Sequence, residues 1–439
     1  MNKKYRVIIE DILSGKNIWQ NYSFLKSSQW WSEDKMEFYR TEKLRRLLKH
    51  CYSNVPIYKY LLDQSGLNPE SIRSTHDLKL LPVIDKKYIL KHYDEFTTSN
   101  KLLNRGIRFK KTSGTTGQVL KFTNDQKTRS IVWGSFMRFK DWMGYDYKSP
   151  YISFSGRDIL KKGKISNLRI KLSDIIGNKK TFNSYDIGDK EIRDLIKILE
   201  KDPGAILRGY VLNIVDIATI LKRLGLEYSV QAISTTAEPL LDFHRRTIQD
   251  SFNCGIYDQY GCGEIGGVAY ECNQHNGLHI TEEHVILEND ENNELILTDL
   301  DNYSFPFIRY KNGDKAIISN SPCKCGRKSK LISKIQGRTS DNVIGMNGNP
   351  IHWGYFHHLL IETKIATNRN MIKFQLVQKS TSKLRLNIVS EPLTKTDKMK
   401  LSDIITNKLG PVDLTIENVI DIPKDSNGKF RAIISDVTL

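Results

Sequence analysis

The sequence predicts an α/β protein with a large N-terminal body and a small C-terminal α+β module. Three observations carry this. The chain has 439 residues, more than one ordinary domain. Strand-like and helix-like stretches alternate along it, the pattern of α/β architecture. A turn cluster then interrupts the chain near Asp341, with Gln336-Gly337-Arg338-Thr339-Ser340 before it and Asn347-Gly348-Asn349-Pro350 after it. The expected division is a body over residues 1–340 and a lid over 341–439.

Taken in order, residues 36–52 read as an amphipathic helix, with Leu44, Leu47, Leu48 and Cys51 on one stripe. Asn54-Val55-Pro56 ends it, because proline cannot continue a helix. Residues 66–95 alternate turns with short helices, and the chain becomes strand-like near residue 108. Val211 to Leu224 is apolar on most sides and predicts a buried helix. Val230–Ser234, Glu294–Thr298, Lys315–Ser319, Phe374–Val377 and Leu384–Val389 predict strands. No internal repeat or long low-complexity segment stands out.

Hydrophobic residues make up 39% of the chain, enough for a sizeable core. No apolar run approaches the length of a membrane span. At the N-terminus, Glu10 and Asp11 arrive before a signal-peptide core can form, so the expectation is a soluble, cytoplasmic protein. The formal charge is +17 and the pI about 9.3. That favours phosphate-bearing ligands or reflects a lysine-rich composition. The basic residues are scattered and no nucleic-acid-binding signature is present, so nucleic acid is not an expected partner. Six cysteines in so long a chain do not make a disulfide scaffold.

Five short motifs carry chemistry. Lys111-Thr112-Ser113-Gly114-Thr115-Thr116-Gly117 offers backbone N–H groups and hydroxyls that can wrap a triphosphate, though it lacks the Walker A spacing. A flexible hairpin turn reads equally well. Gly261, Gly263 and Gly266 spell G-x-G-x-x-G, but the residues after Gly266 are poor helix material, which argues against a dinucleotide site. Glu264 beside these glycines fits a magnesium ligand, or else an ordinary surface acid. Pro306-Phe307-Ile308-Arg309-Tyr310 with Gly313-Asp314 places an aspartate that can accept ribose hydroxyls, or that simply ends a hairpin. Gly337-Arg338-Thr339-Ser340-Asp341 fits a hinge. Asn427-Gly428-Lys429-Phe430-Arg431 puts a lysine on a glycine turn, able to reach an anion or to stay solvated.

In this order, and with Ala237-Glu238-Pro239 and Tyr260-Gly261 between them, the motifs resemble the adenylate-forming acyl/aryl-CoA synthetase superfamily. The chain is most similar to the phenylacetate–coenzyme A ligase-like branch. It resembles the capsular polysaccharide biosynthesis, CapK-like group more closely still. Leu44-Arg45-Arg46-Leu47-Leu48-Lys49-His50, Asn54-Val55-Pro56-Ile57-Tyr58 and Arg208-Gly209-Tyr210 carry that last likeness. The resemblance spans roughly residues 30–435 and implies a large adenylation body with a mobile C-terminal lid.

It also implies roles. Ser113, Gly114, Thr115, Thr116 and Gly117 would clamp the phosphates of ATP. Ala237, Glu238 and Pro239 would line the adenine pocket, with Tyr260 and Gly261 near adenine and the acyl group. Glu264 would hold Mg2+, Asp314 and Arg338 would bind the ribose, and Asp341 would be the hinge. Lys429 would reach the carboxylate and the α-phosphate, where fixed cations stabilise developing charge. Two departures stand out: Gly263 replaces a frequent threonine, and Gln118-Val119-Leu120-Lys121 replaces a frequent Pro and Lys.

Cys323-Lys324-Cys325-Gly326-Arg327 is a C-x-C knuckle, and Cys272 lies upstream with His275 and His279 nearby. Three thiolates and one imidazole make a tetrahedral Zn2+ set; the bland alternative is buried thiols and a surface histidine. The resemblance implies a structural zinc with His279, from Gly277-Leu278-His279, as the fourth ligand.

The expected chemistry joins a small carboxylic acid or amino acid to MgATP as acyl-AMP and pyrophosphate. The acyl group then passes to an amine of an amino acid or amino sugar in surface-polysaccharide assembly, or to coenzyme A. A non-catalytic binding module of the same fold is the rival. Trp133, Phe136 and Tyr210 could line an acyl pocket or simply pack in the core. The sequence does not indicate an oligomeric state.

Overall fold

A computed structural model describes residues 3–14, 16–98, 106–112, 119–146, 148–155, 174–175, 177–183, 188–338, 342–352, 355–356, 359–360, 363–369, 371–423 and 430–437. A 12-stranded sheet forms the body. One half is parallel. Lys179–Asn183 is its edge, followed by Tyr151–Ser155, Ile206–Tyr210, Ala232–Thr236 and Gly255–Cys262. From Gly255–Cys262 onward the pairing is antiparallel, through Gly266–Glu271, Leu278–Ile280, Leu331–Arg338, Tyr310–Ser319, Glu294–Asp299 and Val285–Asn289, while the short twelfth strand Ile84–Asp85 pairs in parallel with Tyr310–Ser319.

The central parallel strands bury apolar residues on both faces, since helices cover both. The Asp189–Lys201 and Val211–Arg223 helices pack on one side, with Leu195, Ile214, Ile217 and Leu221 buried. The Gln126–Trp142 helix covers the other, joining Phe136 and Phe139 to Tyr151, Ile206, Tyr257 and Tyr270. Asp125 caps that helix, accepting from Thr128 N at 2.9 Å. The expected strand at Val230–Ser234 forms two residues later, at Ala232–Thr236.

The C-terminal unit is α+β, as expected. Its four-stranded sheet runs Asp413–Asn418, Lys383–Val389, Lys373–Ser380, Ile433–Ser435. The Lys395–Leu409 helix, capped by Thr394, packs on it through Leu401, Ile405 and Leu409. Phe243 of the body joins this core.

The first long helix runs Glu33–Asn54, longer than the apolar stripe alone predicts, because Ser32 caps it and Glu33 and Asp34 fill its first turn. Pro56 starts the next helix as well as ending this one. Beside its leucines this helix buries two cations. Arg40 meets Glu282 at 2.7 Å, and Lys43 meets Asp301 at 2.6 Å and donates to the Glu283 carbonyl at 2.8 Å. Arg138 of the Gln126–Trp142 helix meets Glu283 at 2.7 Å. His284 lies 3.0 Å from Asp301. All of these side chains are buried. Burial pushes Asp301 up, but Lys43 and His284 outweigh it and hold the carboxyl well below its usual range.

A second buried group sits where the sheet changes sense. Glu271 accepts from Asp258 N at 2.6 Å, and Arg245 Nη2 donates to both of its oxygens, at 2.7 and 2.8 Å. Asp258 accepts from Thr235 Oγ1 at 2.9 Å. Burial, and then Glu271, push Asp258 up to about 7.

Both groups can be tested by substitution. Lys43→Met leaves the Asp301 charge short of its main partner and should cost about 3–5 kcal/mol in urea denaturation. Lys49→Met, which removes an exposed pair with Glu70, should cost no more than about 1 kcal/mol. Equal effects would refute the buried layer's importance. For Asp258 the folded pKa lies above that of an unfolded aspartate, near 3.9. Its contribution therefore favours the fold at low pH and is lost as pH rises through about 7. Asp258→Asn should be more stabilising at about pH 8 than at about pH 5, by roughly 1–4 kcal/mol. A pH-independent difference between the two proteins would contradict this.

Candidate active site

The site forms where Gly255–Cys262 delivers its C-terminal end beside Tyr310–Ser319. Tyr260 donates to Asp314 Oδ2 at 2.7 Å, and Asn312 Nδ2 bonds both Tyr260 Oη, at 2.9 Å, and Asp314 Oδ2, at 2.8 Å. Arg338 Nε donates to Asp314 Oδ1 at 3.1 Å. Asp314 is therefore no hairpin turn: it lies inside a strand, in register with Arg338. Its carboxylate has about four lone-pair positions, and donors among the described residues take three of them, two on Oδ2 and one on Oδ1. Burial, then Asp314, push Tyr260 well up, so it stays a donor.

Glu264 lies just beyond the same strand, mostly buried, and accepts from Tyr310 Oη at 3.0 Å. Lys86 feels both Glu264 and Arg338, and burial lowers its pKa. Lys86 and Asn312 belong to this cluster although no motif marks them. Gly261 sits at a bulge, and any Cβ there would collide with the carbonyl of Gly266. That crowding brings the chain around Glu264 close to the strand end.

Ala237, Glu238 and Pro239 come directly after the Ala232–Thr236 strand, and Ala237 has φ 70°. Both Glu238 oxygens take backbone N–H groups, Leu212 N at 2.9 Å and Phe430 N at 3.0 Å. Glu238 thus ties the start of the Val211–Arg223 helix to the C-terminal unit. Ser113, Gly114, Thr115, Thr116 and Gly117 lie outside the described residues, as do Asp341 and Lys429. The flanks of the first loop are a hairpin, Arg108–Lys111 against Lys121–Asn124, closed by Thr112 N donating to Leu120 O at 2.9 Å. Of the bulky candidates, Phe136 is buried, Trp133 is partly exposed and Tyr210 sits half-buried at a strand end.

Away from this cluster, Cys272, His279, Cys323 and Cys325 bring their ligand atoms within 4.8 Å of one another. Cys272 and Cys323 sulfurs are 3.7 Å apart, about the edge of a tetrahedron with metal–sulfur bonds near 2.3 Å. His279 turns Nε2 to Cys325 Sγ, at 3.3 Å, while Nδ1 meets Ser329 Oγ at 3.0 Å. Such a second partner fixes the ring of a metal-binding histidine. His275 instead faces Glu271 and Tyr257. The donor set and spacing fit a closed four-coordinate zinc.

Residues 343–436 match the CapK C-terminal domain family. The chain is 27% identical to a phenylacetate-coenzyme A ligase of Thermus thermophilus, over 72% of this chain and 74% of that one. It is 25% identical to protein CapK of Staphylococcus aureus, over 91% of this chain and 89% of that one. In fold it is similar to a 2-hydroxyisobutyryl-CoA ligase in the postadenylation state, with a TM-score of 0.73 at 16% identity, covering 93% and 92% of the two chains. No described helix is long and apolar enough to cross a membrane. With the family model over the C-terminal unit, the sequence relatives and the shared fold in agreement, the chain is an AMP-forming ligase, similar to the phenylacetate–coenzyme A ligases and CapK of the adenylate-forming superfamily.

Proposed function

We propose that this chain adenylates a small carboxylic acid or amino acid with MgATP and passes the acyl group to an amine, of an amino acid or amino sugar, in surface-polysaccharide assembly. The observation that carries the site is the Tyr260–Asp314–Arg338 network with Glu264 beside it. The motif resemblance to the capsular polysaccharide biosynthesis, CapK-like group favours the amine acceptor. A coenzyme A acceptor is the second reading, favoured by the relatives named phenylacetate-coenzyme A ligases. A need for ATP and for either acceptor supports a cytoplasmic location.

The residues divide the work between them. Glu264 would hold a magnesium ion, which would neutralise phosphate charge, and the hydroxyls and N–H groups of Ser113 to Gly117 would bind the phosphates. Asp314 offers its remaining lone pair to a ribose hydroxyl, and Arg338 orients that carboxylate. Ala237, Glu238 and Pro239 border adenine, with Tyr260 and Gly261 opposite. When pyrophosphate leaves, charge builds on the α-phosphate, and Lys429 neutralises it. Holding the carboxylate in line with phosphorus supplies much of the remaining rate. Residues 341–439 then turn about Asp341 to admit the acceptor. Zinc at Cys272, His279, Cys323 and Cys325 is structural, since four protein ligands leave no open position.

The test is pyrophosphate release across a panel of carboxylic acids. Release with one class of acid, reduced on the order of 100–1000-fold in Lys429→Ala, is the expected outcome. An indifferent Lys429→Ala protein would instead fit the non-catalytic module. Adding amino sugars, amino acids or coenzyme A then identifies the acceptor by which product forms. Elemental analysis should find about one zinc per chain, lost in Cys323→Ser. Freshly purified protein without zinc would remove that assignment.

A further inference from the structure

On the face of the parallel strands covered by the Gln126–Trp142 helix, three hydrogen-bond donors have no partner among the described residues. Arg208 sits half-buried on Ile206–Tyr210; its Nε is buried and makes no hydrogen bond. Among the described residues no carboxylate pairs with its guanidinium, which lies 4.8 Å from the Phe136 ring centre. Register places Ser153 and Ser234 on the strands either side of it. Ser234 is fully buried and its Oγ has no partner. Tyr151, two residues before Ser153 and on the same face, is equally buried, and its hydroxyl has no partner. Native proteins leave few buried polar groups unsatisfied, and three in one patch ask for a ligand.

The place in the fold points the same way. Numbered by position in the chain, the five parallel strands lie in the order 2-1-3-4-5. The chain therefore winds to opposite sides at the boundary between Tyr151–Ser155 and Ile206–Tyr210. Open α/β sheets bind ligands outside the strand ends at such a boundary. The Ser153–Arg208 pair straddles it, and Arg208 is two residues from its strand's end. The Ala237-Glu238-Pro239 segment leaves the strand carrying Ser234, so the patch adjoins the adenylation site.

We propose that Arg208, with Ser234 and Tyr151, receives a second anionic group on the acid being adenylated, so that the acyl donor is a dicarboxylic acid and not a plain aryl or alkyl acid. This names the substrate class of the site and rests on the adenylation reading. Every unsatisfied atom in the trio donates, and a guanidinium matches a carboxylate in two-pronged fashion. A neutral apolar tail would leave all three unsatisfied.

The experiment is acid-dependent exchange of pyrophosphate into ATP, using acids matched in length that end in a carboxylate, an amide or a methyl group. The dicarboxylate should have a KM at least about tenfold below its neutral partners. Arg208→Met should raise that KM on the order of 10–100-fold while moving the neutral acids' KM by less than about twofold; Arg208→Lys should fall between. A wild-type preference for neutral acids, or an Arg208→Met change shared by all acids, overturns the inference and leaves adenylation standing. No exchange with any acid overturns both. Should Arg208→Met fail to fold, the wild-type preference alone still decides.

Discussion

The Gly255–Cys262 strand pairs in parallel with one neighbour and antiparallel with the other, and the site depends on that change of sense. Parallel strands all end on one edge, so they deliver loops there but no returning strand. Antiparallel partners bring chain back. Only a sheet that switches can set Tyr260, at the end of a parallel strand, against Asp314, inside an antiparallel one. Two features fix the junction. Gly261 lets Gly266 approach where no side chain fits. Glu271 commits its buried carboxylate to the Asp258 amide and to Arg245, locking the two strands in register.

The helices that cover this sheet are held differently from an ordinary amphipathic pair. Leucines of Glu33–Asn54 supply contact area, but Arg40 and Lys43 thread between them to Glu282 and Asp301. Arg138 reaches Glu283 from the other helix. Burying charge is costly, and the pairs gain little over a well-packed apolar layer. What they add is position: each cation has its own buried carboxylate, so the helices cannot slide by a turn without stranding a charge. Glu282 and Glu283 follow the Leu278–Ile280 strand and Asp301 follows Glu294–Asp299, both in the antiparallel half of the sheet that carries Tyr260.

Much of this was legible in the sequence, for identifiable reasons. The Val211–Arg223 helix and the C-terminal strands announce themselves because burial on most sides leaves an apolar run. Tyr260, Glu264, Asp314 and Arg338 stand in recognisable motifs, and the structure brings Tyr260, Asp314 and Arg338 into one hydrogen-bonded network with Glu264 alongside. Lys86 and Asn312 escape such a reading, because a lysine after a helix cap and an asparagine in a strand carry no periodic signal. The buried ion pairs are invisible for a related reason. Arg40 and Lys43 look like the solvated face of a helix until Glu282 and Asp301, more than two hundred residues on, are placed beneath them. His275 and His279 both lie within a few residues of Cys272, so spacing alone does not choose between them; family likeness favours His279, and its Nε2 faces Cys325 while His275 faces Glu271.

The contacts between the C-terminal unit and the body have a character suited to being broken. Glu238 holds Phe430 N, one residue beyond Lys429. Lys373 bridges Asp216 of the body, at 2.9 Å, and Asp421 of its own unit, at 2.8 Å. Water can replace each of these bonds, so the net loss for each is about 1 kcal/mol. The apolar contacts among the described residues include Phe243 and Leu241 of the body on the C-terminal core and Ile372 on the body core, a fully buried side chain such as Phe243 being worth about 1.5–3 kcal/mol. Lys373 keeps Asp421 as a partner when Asp216 moves away, so no charge is left buried and alone. The turn of residues 341–439 proposed above would break these polar bonds and separate these apolar contacts.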